Sequence, residues 1–233
     1  MLKSNIMERV ILIAYDLNPL LGSECRTAFL WLKIISKYYF VYVFTDSFHK
    51  NSILKEKFEN INFNFINTNK TARKLLGKIG AYNISNGMFI KKVERELKKI
   101  NVNGFKLLHC ITPAGIHSYN NLYKFKIPLL IGPLGGALPT PGGFKQIFQN
   151  NFKDFLRDYY YDKIITEKAW KDYFLNAKKI IIGTEYLKKI IPEDAQKKCT
   201  IIFDAFVDKN FYRPKEELKN NTVKKILFAG RLE

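Results

Sequence analysis

The sequence predicts an α/β domain over residues 1–205, a Rossmann-like parallel sheet flanked by helices. Three observations predict it. Several short runs are apolar at nearly every position, the mark of strands covered on both faces. Helical stretches separate those runs, and strand–helix–strand repetition builds a parallel sheet through right-handed crossovers. Glycine- and proline-rich segments follow the strands, where parallel sheets bind their ligands.

The elements follow in order. Arg9 to Tyr15 (RVILIAY) reads as the first buried strand. A short loop over 16–22 contains Asn18-Pro19, and Ser23 is placed to cap a helix running to about Lys37. Phe40 to Thr45 is the second strand. Ile61 to Ile66 (INFNFI) alternates, so it predicts a third strand nearer an edge. Residues 69–85 are basic and read as a mobile loop or broken helix, and Gly87 to Ile100 as an amphipathic helix. Lys106 to Ile111 and Ile127 to Ile131 are the fourth and fifth strands. A long helical stretch is expected over about Asn151 to Ala177. Lys179 to Gly183 and Cys199 to Phe203 are two more strands, with a short helix at Glu185 to Ile191 between them. Residues 206–223 turn polar and read as an interdomain linker. Lys225 to Ala229 (KILFA) then starts a fresh buried-strand pattern, so 224–233 is expected to be the first strand of a second domain.

Composition narrows the class. The chain of 233 residues is 47% hydrophobic and 15% aromatic, which supplies a core and excludes intrinsic disorder. No apolar run reaches the ~18 residues that span a bilayer. The apolar run behind the polar segment 1–8 is short for a secretory leader. Cys25, Cys110 and Cys199 are odd in number and far apart. That excludes a disulfide framework and a paired-cysteine zinc site, and it suits a reducing cytoplasm.

The formal charge is +18, with 39 Lys+Arg against 21 Asp+Glu. Lysine supplies 32 of the 39 and arginine 7, a balance that suits a solvated surface, an anionic membrane face or a polyanionic substrate. Nucleic acid is not an expected partner, because no RNP, zinc-finger or helix-turn-helix pattern is present. The basic stretch from Asn69 to Lys99, with Lys91, Lys92, Lys98 and Lys99, is the candidate for contact with anionic lipid.

Four segments carry the functional signal. Gly22-Ser23 stands between the first strand and a helix N-terminus, where backbone N–H groups and the helix dipole favour an anion. It is not GxGxxG, so dinucleotide binding is not implied. Gly132-Pro133-Leu134-Gly135-Gly136 follows the fifth strand, and its glycines allow close approach of backbone to ligand. His109 lies within the fourth strand, where a side chain points into the core or to a helix layer and a lone histidine is more often structural than catalytic. Thr112 and His117 are nearer the strand's end, where polar groups can face the cleft. Arg231 follows the last strand, well placed to pair with a phosphate. A GxSxG elbow, a P-loop and metal-ligand spacing are all missing from the sequence.

Together these segments resemble the N-terminal part of a family 4 glycosyltransferase of the GT-B fold. Tyr15 to Glu24 (YDLNPLLGSE), His109 to Gly115 (HCITPAG), Gly132 to Gly136 (GPLGG), Asn176 to Thr184 and Ile226 to Leu232 (ILFAGRL) occur in the family's order. The resemblance implies two Rossmann-like domains facing across a cleft, with the acceptor held by the N-terminal one. It implies transfer of a sugar, with retention, from a sugar nucleotide to a glycan or lipid-linked glycan in envelope polysaccharide assembly. It implies no cofactor beyond that donor, and no metal. Gly22 and Ser23 would lie against the donor phosphates, His109 near the transferred sugar as the catalytic residue, and Arg231 on the diphosphate. Thr112, Gly132, Pro133, Gly135 and Gly136 would line the cleft. The lysine and paired glutamates of the donor domain would follow Glu233, so the 233-residue chain is expected to be inactive alone. The expected location is the cytoplasm, peripheral at the inner face of the membrane. Cys25-Arg26-Thr27-Ala28 departs from the further glycines of this branch.

Overall fold

The computed structural model describes residues 7–22, 24–78, 82–136, 138, 159 and 161–202. Among the described residues seven strands are present: β1 (Arg9–Ala14), β2 (Phe40–Asp46), β3 (Ile61–Ile66), β4 (Phe105–Thr112), β5 (Leu129–Leu134), β6 (Ala177–Ile182) and β7 (Cys199–Ile201). They form one all-parallel sheet in the order β3-β2-β1-β4-β5-β6-β7. The helices are α1 (Glu24–Ile35), α2 (Lys50–Ile53), α3 (Lys70–Lys78), α4 (Tyr82–Leu97), α5 (Lys168–Leu175), α6 (Glu185–Ile190) and α7 (Glu193–Gln196). The α/β, Rossmann-like architecture is therefore as the apolar runs require.

The continuous apolar runs feed two cores, one on each face of the sheet. Along β1, Val10, Leu12 and Ala14 point to the layer of α1 and α2, where they meet Ala28, Phe29, Leu32 and Ile53. Ile11, Ile13 and Tyr15 point the other way, onto Phe89, Val93 and Leu97 of α4. Strict alternation of the two faces is the period-2 geometry of a strand. Farther along the second core, Trp170 of α5 is 1% exposed, and its indole Nε1 donates to the Ile116 carbonyl at 2.9 Å. Burial of each such side chain contributes about 1.5–3 kcal/mol. β3 is an edge strand with mostly half-buried positions, which is why its sequence alternates.

Several boundaries differ from the expectation, each for a physical reason. β5 runs to Leu134, so Gly132-Pro133-Leu134 lies inside the strand and not after it. The ladder to β6 shifts register between Ile131 and Leu134, which accommodates the proline that cannot donate. α4 begins at Tyr82, five residues before Gly87, because Tyr82 and Ser85 find partners on β1's end. Over 69–85, residues 70–78 and 82–85 belong to two separate helices, which fits the broken-helix alternative and not the loop. The helix expected up to Ala177 is interrupted at Glu167, and Ala177 itself opens β6. The linker 206–223 and the strand at 224–233 lie outside the described residues.

β1 and β4 are neighbours, yet β2 and β3 lie to one side of them and β5 to β7 to the other. The carboxyl ends of β1 and β4 are thus the switch point where an open parallel sheet leaves a crevice.

Candidate functional site

The loop after β1 is held by an aspartate directly past the strand. The backbone of Asp16 exchanges two hydrogen bonds with Thr112 at the end of β4. Its N–H donates to Thr112 Oγ1 at 3.0 Å, and Oγ1 donates to the Asp16 carbonyl at 3.0 Å. The Asp16 carboxylate accepts from His49 Nε2 at 2.8 Å, from Arg73 Nη2 of α3 and from the Tyr82 hydroxyl of α4. Burial alone would raise this carboxyl. The His49 hydrogen bond, the Arg73 charge and the Tyr82 hydroxyl outweigh burial and hold it below the usual carboxylate value. Burial and then the Asp16 charge push the Tyr82 hydroxyl upward, so it stays a donor.

A second carboxylate closes the cluster. Asp46, at the end of β2, accepts from Phe48 N at 2.7 Å and from the Thr68 hydroxyl, and its Oδ2 lies 3.4 Å from Arg73 Nη1. The Arg73 guanidinium also covers the Tyr15 ring at 4.4 Å. One arginine thus ties α3 to the ends of β1 and β2.

From this cluster a relay runs to the loop tip. Asn18 Oδ1 accepts from Leu20 N at 2.8 Å, which turns its amide nitrogen toward His49 Nδ1 at 3.0 Å. Nδ1 is therefore the acceptor, and the His49 proton sits on Nε2, facing Asp16. Asn18 and His49 are buried, whereas Leu20 is 73% exposed. The relay leaves the tip at the surface and anchors its base. Gly22 is exposed there, and a Cβ on it would meet nothing within 4 Å, so its place is not dictated by crowding. The first turn of α1 already carries Glu24, a carboxylate that competes with a phosphate for the helix's positive end.

The ends of β4 and β5 are built differently. His109 is 2% exposed and points from mid-strand into the α1 layer, where its ring meets Trp31 edge-on at 5.6 Å. Its Nε2 donates to the Gly132 carbonyl at 2.6 Å, and Nδ1 has no hydrogen-bond partner. Burial drives its pKa from 6.5 down to about 4 against the pull of that hydrogen bond. So placed, the ring holds the backbone of β5 and does not reach the loop face. Gly132 has φ +105°, and a Cβ there would stand 2.2 Å from the Ile181 carbonyl oxygen, so only glycine fits. The Thr112-Pro113 and Gly132-Pro133 bonds are both cis. Beyond the strands, Gly135 N donates to the Ala114 carbonyl at 2.8 Å, which joins the two loops. Gly136 follows, exposed, at φ +76°.

Of the residues expected at the site, Gly22, Thr112, Gly132, Pro133, Gly135 and Gly136 converge on the carboxyl edge of neighbouring strands. Thr112 is buried and committed to Asp16 rather than open to a cleft. His117 stacks on Tyr161 at 3.8 Å. Ser23 and Arg231 lie outside the described residues. The reading of the sequence passed over Asp16, Asp46, His49 and Arg73. The available signal was a polar residue directly past each of two adjacent strands, and one arginine in a lysine-rich stretch. A scan against protein-family models and a search of curated proteins each find no match to this chain.

Proposed function

We propose that the chain is the acceptor-side half of a retaining GT-B glycosyltransferase of family 4, which moves a sugar from a sugar nucleotide to a glycan or lipid-linked glycan. One observation carries the reading. Gly22 and Gly135-Gly136, from the motifs of the resemblance, lie on one edge of a 3-2-1-4-5-6-7 parallel sheet beside its switch point, with Gly132-Pro133 inside β5 directly before the second pair. That is where a Rossmann-like domain offers a ligand backbone rather than bulky side chains.

The chemistry gives each part a role. Glycosyl transfer needs a stabilised diphosphate leaving group and an oxocarbenium-like transition state in a closed cleft. In this reading the tip at Gly22 and the ridge at Gly135-Gly136 face the substrates. His109 is a positioning residue, because it shapes the ridge through the Gly132 carbonyl. The Asp16 cluster sets the base of the Gly22 loop. Arg231 and the donor-binding residues would complete the diphosphate site, and work at the inner membrane surface would bring lipid-linked acceptors within reach.

The test is nucleotide release. The full product of the gene is incubated with UDP-, GDP- and ADP-hexoses and lipid-linked oligosaccharides. The expected result is acceptor-stimulated release of nucleoside diphosphate, with retained anomeric configuration by NMR. No release from any donor overturns the proposal. Residues 1–233 by themselves are expected to show little or no turnover.

A further inference from the structure

A groove of about 990 Å³ lies away from the loops just described, along the outer flank of α1 and against residues 57–60 ahead of β3. Arg26 and Lys33 stand on its α1 wall at i and i+7, which places them on one helix face about 10 Å apart along the axis, and Lys37 follows in the turn just past the end of α1. Lys57 faces them from the opposite wall, and Leu30, Ile34 and Phe58 contribute apolar surface between the cations. Lys33 lies 3.6 Å from the Glu56 carboxylate, and Glu59 is the acidic residue in the lining. Positive charge therefore exceeds negative along the whole groove.

We propose that this groove binds an anionic glycan, a chain of carboxylate- or phosphate-bearing sugars. The spaced cations match a polymer with repeating charge, and the aliphatic patches between them match the apolar faces of sugar rings. A lipid tail fits poorly, because Arg26, Lys33, Lys37 and Lys57 interrupt the apolar residues of the lining. Nucleic acid fits poorly as well. Phe58 is the aromatic residue in the lining and already contacts Phe29 and Phe63 at 5.6 and 5.4 Å, so successive bases have no row of rings to stack on, and three of the four cations are lysines. α1 runs from the carboxyl edge of the sheet back toward its amino edge, so the Arg26 end of the groove approaches the Gly22 loop. Resting on the glycosyltransferase reading, the groove is the track along which a growing acidic acceptor leads to the transfer site.

The experiment measures binding without any sugar nucleotide, so its outcome is independent of transferase activity. Fluorescently labelled oligogalacturonate, neutral dextran and a single-stranded DNA of similar charge are titrated into the chain at low and at physiological salt. The acidic glycan is expected to bind in preference to the other two, and more weakly as salt rises. Reversal of three exposed cations, R26E/K37E/K57E, is expected to weaken that binding about tenfold or more. The control K171E/K178E/K189E removes the same charge from other exposed sites and leaves binding within about twofold. The neutral set R26Q/K37Q/K57Q repeats the test with a smaller change in net charge. No glycan binding, an equal loss in the control, or preference for DNA overturns the proposal.

Discussion

Over β1 and β2 the carboxyl edge of the sheet is held by side chains: Asp16 accepts from His49, Arg73 and Tyr82, and Asp46 accepts from Thr68. Over β4 and β5 the same edge is held by backbone. Gly132 packs against the Ile181 carbonyl, His109 donates to the Gly132 carbonyl, and Gly135 bonds to Ala114. The difference teaches what each half can tolerate. A network of charged side chains fails when one member is left unpaired in a dry setting. A backbone ridge fails when a single carbon atom is added. The first is sensitive to charge and the second to volume.

The largest test of that contrast is Gly132→Ala. The added Cβ meets a backbone oxygen at 2.2 Å at a φ of +105°. Conformational strain and overpacking together cost roughly 2–6 kcal/mol, and the expected result is loss of soluble folded protein. Gly136→Ala adds the same carbon at φ +76° into open space. It is expected to cost only about 1–2 kcal/mol, read as a small shift in urea midpoint. Equal losses at the two positions would break the claim that volume is what the ridge reads.

Asp16→Ala should come next, at about 3–5 kcal/mol, because it takes the acceptor from His49 and Tyr82 and leaves Arg73 with Asp46 as its ion-pair partner among the described residues. Amide exchange is expected to quicken through α3, whose described side chains include the 61%-exposed Leu75 and few apolar anchors. Unchanged protection over residues 71–78 would remove Arg73 as the tie between α3 and the sheet.

Acid separates the two halves by pH window. His109 has its folded pKa depressed to about 4 from 6.5. Between those values the unfolded chain binds a proton that the folded chain does not, so stability falls as pH drops from 6.5 to 4. The loss is about 3 kcal/mol at ~1.4 kcal/mol per pH unit. Asp16 is depressed below the ordinary value of 3.8, so its contribution is present above that pH and is lost only as pH falls through the folded value. His109→Gln keeps a donor for the Gly132 carbonyl and removes the titration. The variant should therefore lose most of the slope between pH 6.5 and 4 in urea midpoints, the remainder coming from His117, whose pKa burial also lowers, and retain the steeper fall below it. An undiminished slope would assign it to another group.

The smallest effect is expected at the loop tip. Asn18→Ala removes the acceptor for Leu20 N and the donor to His49, at about 1 kcal/mol. Gly22→Ala meets nothing and should be neutral in stability to about 0.5 kcal/mol. Any fall in turnover with Gly22→Ala then reports on substrate contact alone.

The strands were legible because burial on both faces requires an apolar residue at nearly every position, and that requirement is local. β3 was legible as an edge because its alternation records one covered face. The helix at α1 was legible from its apolar spacing. The extension of β5 through Gly132-Pro133 was not, since proline and glycine ordinarily end a strand. Only contact with His109 and Ile181, 23 and 49 residues away, keeps the segment in the sheet. The early start of α4 was hidden for the same reason: Tyr82 and Ser85 are recruited by Asp16 and Tyr15, which no local pattern announces.

By itself, then, the sequence determined the order of strands and helices and the parallel α/β class, both of which follow from short-range periodicity. The tertiary structure alone decided that Asp16, Asp46, His49 and Arg73 meet, that His109 is buried as a prop for β5, and that the cations of α1 face Lys57 across a groove. Those facts depend on residues separated by tens of positions, and a hydrogen bond or ion pair is set by distance in space, which the linear chain does not encode locally.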